Sequence, residues 1–116
     1  LFIVDDKLGT PTYTHDFASN LKLLLEKEYW GLYNMVCGGV TGRFEVALEL
    51  IKTLGLEDNI KVTPVTSDYW KETYFADRPP SERLLDKKLD LRNVNIMRDW
   101  RVCLREYVEN YYQGYL

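Results

Sequence analysis

Two short stretches of the chain carry side chains whose types and spacing could do chemistry. In the first, Asp5-Asp6-Lys7-Leu8-Gly9-Thr10-Pro11-Thr12-Tyr13-Thr14-His15-Asp16-Phe17-Ala18, hydroxyls, carboxylates and an imidazole lie close together. Gly9 permits a close backbone approach, while Pro11 fixes its own φ and pushes Thr10 toward extended geometry. Thr14 stands where it can cap a helix beginning near His15, and Asp16 falls in that helix's first turn, where a carboxylate suits the dipole. The hydroxyl of Thr12 is left pointing elsewhere. Such a segment is either a rigid connection or a loop that touches a ligand. In the second stretch, Arg78-Pro79-Pro80-Ser81, two prolines hold the backbone extended and display Arg78 and Ser81 from a pre-ordered segment. A guanidinium fork matches phosphate oxygens, and it equally well pairs with one of the chain's many carboxylates.

Other chemistries are not supported. His15 is the only histidine and has no cysteine at ligand spacing, so a surface or capping role is expected rather than metal binding. Cys37 and Cys103 lack CxxC spacing and read as buried small hydrophobes in a reducing compartment. No Ser-His-Asp motif is recognisable. Glu106 and Glu109, at i, i+3, could share a cation, but a solvated helix face is the expected reading. The aromatic run from Asp68 to Phe75 reads as core packing rather than a base-stacking wall. With 15 Lys and Arg against 18 Asp and Glu, a net charge of -3 gives no footprint for nucleic acid. No apolar run reaches the roughly 20 residues that span a bilayer, and the start lacks a signal peptide's charged and apolar regions. A cytoplasmic location is the expectation. The absence of an initiator Met, with a start inside an apparent strand, leads us to expect a piece of a longer chain.

The elements that must position these residues are legible as one α/β domain over residues 1–116. Leu1-Phe2-Ile3-Val4 is a strand, and the crossover loop follows. Phe17, Leu21, Leu24 and Leu25 predict the buried face of a helix over 15–28 that stops before Trp30-Gly31. The run 32–37, closed by Gly38-Gly39, has the look of a buried parallel strand, which would complete a right-handed βαβ unit. Thr41 or Gly42 caps a helix over 42–54 with Phe44, Ala47, Leu48, Ile51 and Leu54 inward, ended by Gly55. Residues 60–65 form a strand in which Pro64 argues for an edge. Trp100, Leu104, Tyr107, Val108 and Tyr111 mark a closing helix over 96–112.

On three ordered motifs and this last helix, the chain resembles the dTDP-4-dehydrorhamnose reductase family of extended short-chain dehydrogenases. The motifs are Val4-Asp5-Asp6-x-x-Gly9-x-Pro11-Thr12-Tyr13-Thr14-x-Asp16-x-Ala18, then Gly38-Gly39-x-x-x-Arg43-Phe44-Glu45, and finally Arg78-Pro79-Pro80-Ser81 with Leu85-Asp86-x-Lys88-Leu89. Lys7 replaces the family's usual Gln, and Gly42 a common Ser. The resemblance implies the C-terminal, sugar-nucleotide-binding part of a Rossmann-like fold, with short parallel strands and helices. It also implies a parent enzyme that reduces the 4-keto group of dTDP-4-dehydro-L-rhamnose to give dTDP-L-rhamnose. NADPH or NADH would be bound by an N-terminal Rossmann half, because this chain has neither a Gly-rich pyrophosphate turn nor a Tyr-x-x-x-Lys pair for proton donation. Thr12, Arg78 and Ser81 are the implied substrate contacts. Some members use magnesium at a dimer contact, so a homodimer and a magnesium ion are further implications. Another nucleotide-sugar epimerase or dehydratase, and a non-catalytic sugar-nucleotide-binding module, are the competing readings.

Overall fold

The computed structural model describes residues 1–73, 76 and 78–112. Strand β1 (Phe2–Val4) leads through β2 (Leu8–Gly9) into helix α1 (Thr14–Glu26). Strand β3 (Thr41–Gly42) runs directly into α2 (Arg43–Thr53), and β4 (Thr63–Val65) into a 3₁₀ turn (Ser67–Trp70). Two helices, α3 (Lys87–Leu91) and α4 (Trp100–Tyr111), close the chain. Helix α2 packs against both β1 and α4.

The expected strands at the two ends of the first half pair with each other. β1 and β4 run parallel, in register Phe2↔Thr63, Ile3↔Pro64 and Val4↔Val65. Pro64 therefore sits in a two-stranded sheet, where its missing N–H leaves only one side unable to donate. The βαβ unit expected through residues 32–37 is not formed. Among the described residues that segment joins no ladder, and the parallel neighbour of β1 comes from much later in the chain.

Helix ends follow the local chemistry. Past α2, Gly55 adopts φ +67, its N–H reaches the Lys52 carbonyl and the Leu56 N–H reaches Ile51. This is the left-handed exit that glycine allows. At the other end the Glu45 carboxylate accepts from the Gly42 N–H at 2.9 Å, as its first-turn position suggested. Helix α1 differs from expectation, since Tyr13, not Thr14, is its N-cap and no side chain caps it. Helix α4 begins at Trp100 rather than 96, because Asp99 is extended and accepts from the Arg101 N–H.

The buried face of α1 is also rotated from the apolar stripe. Asp16, Asn20 and Leu24 are buried, whereas Phe17, Leu21 and Leu25 are exposed. Polar partners decide this. Asn20 donates to the Val94 carbonyl and accepts from the Ile96 N–H, so it anchors the loop before α4. One core cluster joins Tyr13, Cys37, Trp100 and Cys103, and the other joins Leu24, Leu89 and Val94. Leu48, Tyr107 and Tyr111 face solvent, against expectation, and so does Tyr69, which stacks on Phe2 instead of entering the core. Tyr74 and Phe75 lie outside the described residues. The radius of gyration is 16.6 Å. A compact domain of this length would measure about 13 Å. The fold is a slab of 47 × 38 × 19 Å, with its apolar side chains shared between buried and uncovered faces.

Candidate functional site

The two chemically suggestive stretches meet along one short ribbon. Leu8–Gly9 pairs antiparallel with Thr41–Gly42 on one side. On the other side the Leu8 N–H donates to the Pro80 carbonyl at 2.9 Å, and the Glu82 N–H donates to the Leu8 carbonyl at 2.9 Å. The extended geometry imposed by Pro79-Pro80 lets this segment lie strand-like against its neighbour. Lys7 reinforces the seam with a 2.7 Å bond from Nζ to the Arg78 carbonyl. Thr10 Oγ1 donates to the Gly39 carbonyl at 3.3 Å, tying the crossover loop to the glycine turn.

The candidate residues sit at the margins of this ribbon. Ser81 is bridged to Leu8, and its Oγ accepts from the Arg83 N–H at 3.3 Å. Arg78 is exposed, and among the described residues its guanidinium reaches Glu82, at 3.4 Å. An exposed pair of this kind contributes roughly 0 to 1 kcal/mol, so it leaves the guanidinium free to be recruited elsewhere. Thr12 is exposed and makes no hydrogen bond to a described residue.

Beneath the loop lies a network that the residue pattern did not disclose. Arg98 grips the buried Asp16 with Nε at 2.9 Å and Nη2 at 2.7 Å, and its backbone N–H adds a third contact at 3.1 Å. Its remaining nitrogen, Nη1, reaches Glu106 at 2.6 Å, and the Cys103 thiol donates to Asp16 at 3.3 Å. Hydrogen bonds from Arg98 hold the Asp16 carboxyl below the usual carboxylate range, and they do the same for Glu106. Burial, with the Asp16 carboxylate next, pushes the Cys103 thiol up, so it is no nucleophile. Burial also raises Tyr13, whose hydroxyl lies beside Glu106 without a well-formed hydrogen bond. Glu106 is thus committed to Arg98 rather than to a cation shared with Glu109. Among the described residues no group of three or more His, Cys, Asp or Glu stands together to hold a metal ion, magnesium included.

These shifts carry a pH dependence. A carboxylate whose folded pKa is depressed contributes stability above its unfolded value of about 4, and loses it as pH falls through the folded value. Asp86 has the opposite sign. Its burial raises the carboxyl, partly offset by the Val36 N–H, so its contribution fades as pH rises through the folded value. With Asp16 and Glu106 both held low by Arg98, stability is expected to fall as pH drops below about 4. Denaturant midpoints measured from about pH 2.5 to 7 should show this slope in the unaltered chain and a shallower one in Asp16→Asn.

The N-termini of α2 and α4 do not suit a dinucleotide pyrophosphate. At α2 the Glu45 carboxylate already takes the Gly42 N–H, and at α4 Asp99 takes the Arg101 N–H. Negative groups thus stand where a phosphate would have to bind. The residues at these two termini do not fit the pyrophosphate of a nicotinamide cofactor. Among the described residues no helix is long and apolar enough to cross a membrane.

The family model described as RmlD substrate binding domain matches residues 1–113. The spore coat polysaccharide biosynthesis protein SpsK of Bacillus subtilis is 30% identical over 109 residues, covering 94% of this chain and 36% of that protein. A crystal structure of a dTDP-4-dehydrorhamnose reductase from Clostridium acetobutylicum superposes with a TM-score of 0.88 at 30% identity, over 95% of this chain and 38% of that one. A dTDP-4-dehydrorhamnose reductase from Bacillus anthracis, in complex with NADP, shares the fold with a TM-score of 0.83 at 23% identity, over 96% of this chain and 37% of that one. The chain spans about a third of the length of the curated relatives it matches. The architecture is the substrate-binding portion of an extended short-chain dehydrogenase fold. The chain belongs to the RmlD substrate binding domain family.

Proposed function

We propose that this chain is the sugar-nucleotide-binding part of an enzyme that reduces the 4-keto group of dTDP-4-dehydro-L-rhamnose, with NADPH, in dTDP-L-rhamnose biosynthesis. The observation that carries the reading is the seam between the crossover loop and the Arg78–Ser81 segment, bridged at Leu8 and Ser81. Arg78 and Ser81 belong to the segment on one side of that seam, and Thr12 follows Gly9 by three residues on the other, which supports the reading. The names of the similar proteins, a reductase of this sugar nucleotide and a polysaccharide biosynthesis protein, support it. Cofactor binding and proton donation belong, on this reading, to an N-terminal nucleotide-binding half of the same enzyme.

Within the site, Arg78 faces the substrate diphosphate, while Thr12 and Ser81 offer hydroxyls to the nucleotide sugar. A charge-assisted arginine contact is worth roughly 1.5 to 3 kcal/mol, so Arg78→Ala in the complete enzyme should weaken binding of dTDP-L-rhamnose by about ten-fold to a hundred-fold. Arg78→Lys should restore only part, since a point charge replaces a fork. Calorimetric titration of the product reads both. Its weak pair with Glu82 makes the expected loss of folding stability under about 1 kcal/mol. Unchanged affinity in Arg78→Ala would remove the diphosphate role.

A further inference from the structure

The Leu8–Ser81 bridge is parallel, so the crossover loop and the proline-stiffened segment leave it in the same direction. Two residues beyond the bridge stand Thr10 on one segment and Arg83 on the other. Arg78 lies three residues before it, where Lys7 Nζ reaches the Arg78 carbonyl. The ribbon therefore carries an arginine to each side of the bridge, and Arg83 is the one on the side of Thr10 and Thr12.

The two guanidinium groups differ in what already holds them. That of Arg78 has the Glu82 carboxylate at 3.4 Å. Arg83 is exposed, and its side chain makes no hydrogen bond or ion pair among the described residues. An anion must compete with Glu82 for Arg78, whereas no carboxylate is paired with Arg83. Arg43, across the ribbon, is less well placed, since it shares the first turn of α2 with the Glu45 carboxylate that takes the Gly42 N–H. The backbone that carries Arg83 is also anchored. The Glu82 N–H donates to the Leu8 carbonyl at 2.9 Å and the Arg83 N–H to Ser81 Oγ at 3.3 Å. Just beyond, the Leu85 carbonyl accepts from Asn34 Nδ2 at 3.1 Å, and the Asp86 carboxylate accepts from the Val36 N–H at 3.1 Å.

The diphosphate bridge of a sugar nucleotide carries negative charge on each phosphate, so a lone guanidinium answers half of it. We infer that Arg83 supplies a second guanidinium to the substrate diphosphate, taking the phosphate on the Thr12 side of the ribbon while Arg78 takes the other. The inference rests on the proposed function for the identity of the ligand.

Calorimetric titration of the complete protein with dTDP and with dTDP-L-rhamnose tests this. Arg83→Ala should weaken both by about ten-fold, and Arg83→Lys should recover part of the loss. Affinity in the Arg83→Ala variant should also fall less steeply with added salt. Because the side chain is exposed and unpaired, its denaturant midpoint should equal that of the unaltered protein. Unchanged affinity for both ligands in Arg83→Ala would overturn the inference, and so would a lowered midpoint with full affinity in the molecules that remain folded. Turnover of the ketosugar, scored separately, keeps the two ideas apart. Weakened dTDP binding in Arg83→Ala, in a protein that does not reduce the ketosugar, would uphold the contact and sink the reductase reading. Normal reduction with an unaltered KM in Arg83→Ala would sink the contact alone, and an unaltered protein that binds neither ligand would sink both.

Discussion

Replacing Arg98 with Ala is expected to remove about 3 kcal/mol of folding stability, because it strands a buried carboxylate. The Asp16 side chain is only 8% exposed and is bonded by Nε and Nη2 of the Arg98 side chain. Without them, its remaining partners among the described residues are the backbone N–H of residue 98 and the Cys103 thiol, a weak donor. The Arg98 side chain is itself 41% exposed, so water can enter the gap and keep the loss below the upper range for buried pairs. Asp16→Asn should be milder, as it removes the charge along with the need to neutralise it. The double variant Asp16→Asn with Arg98→Ala should therefore be more stable than the sum of the single losses predicts. Urea midpoints of the four proteins check this. Strict additivity would mean that the two groups act independently, contrary to their geometry.

Gly39→Ala is expected to be comparably damaging, by about 2 to 4 kcal/mol, for two reasons that add. The residue has φ +94, a conformation that L side chains rarely adopt. A Cβ there would also stand 2.9 Å from Trp100 Cδ1 and 2.9 Å from Asp99 Oδ2. Trp100 is 1% exposed, so it has nowhere to move without opening the core. The glycine turn is held to the start of α4 by paired backbone bonds, Gly38 N–H to Arg98 O and Trp100 N–H to Gly38 O. Gly38→Ala, whose Cβ would meet nothing closer than 3.8 Å, is the matched control and should cost much less. Equal losses in denaturant midpoint at the two positions would contradict the packing argument.

How much of this was legible beforehand depended on whether a residue's partner was local. The glycine exit at Gly55 and the Glu45 contact at Gly42 were readable, because the groups involved lie within one turn. The face of α1 was not. Its apolar stripe was correctly located in sequence, but the helix turns Asp16 and Asn20 inward to meet Arg98, Val94 and Ile96, far along the chain. The strand expected over residues 32–37 is not formed among the described residues, because an apolar run closed by glycines does not reveal whether a ladder partner lies beside it. At the candidate site, the two proline-stiffened stretches were identifiable separately. Their meeting at Leu8 and Ser81 needed the fold.

That meeting makes the ribbon a rigid platform rather than a pair of loops, and it gives Lys7 a function in a family motif where Gln is usual. Its Nζ reaches the Arg78 carbonyl, so the longer side chain secures the second stretch from the first.

The reductase assignment stands or falls on one assay, in which the complete protein is supplied with NADPH and dTDP-4-dehydro-L-rhamnose and the absorbance of the reduced nicotinamide is followed. Oxidation is expected in step with the appearance of dTDP-L-rhamnose, with slower turnover at low substrate in Arg78→Ala. A folded, NADPH-binding protein that leaves this sugar untouched, or that turns over a different nucleotide sugar in its place, would contradict the assignment.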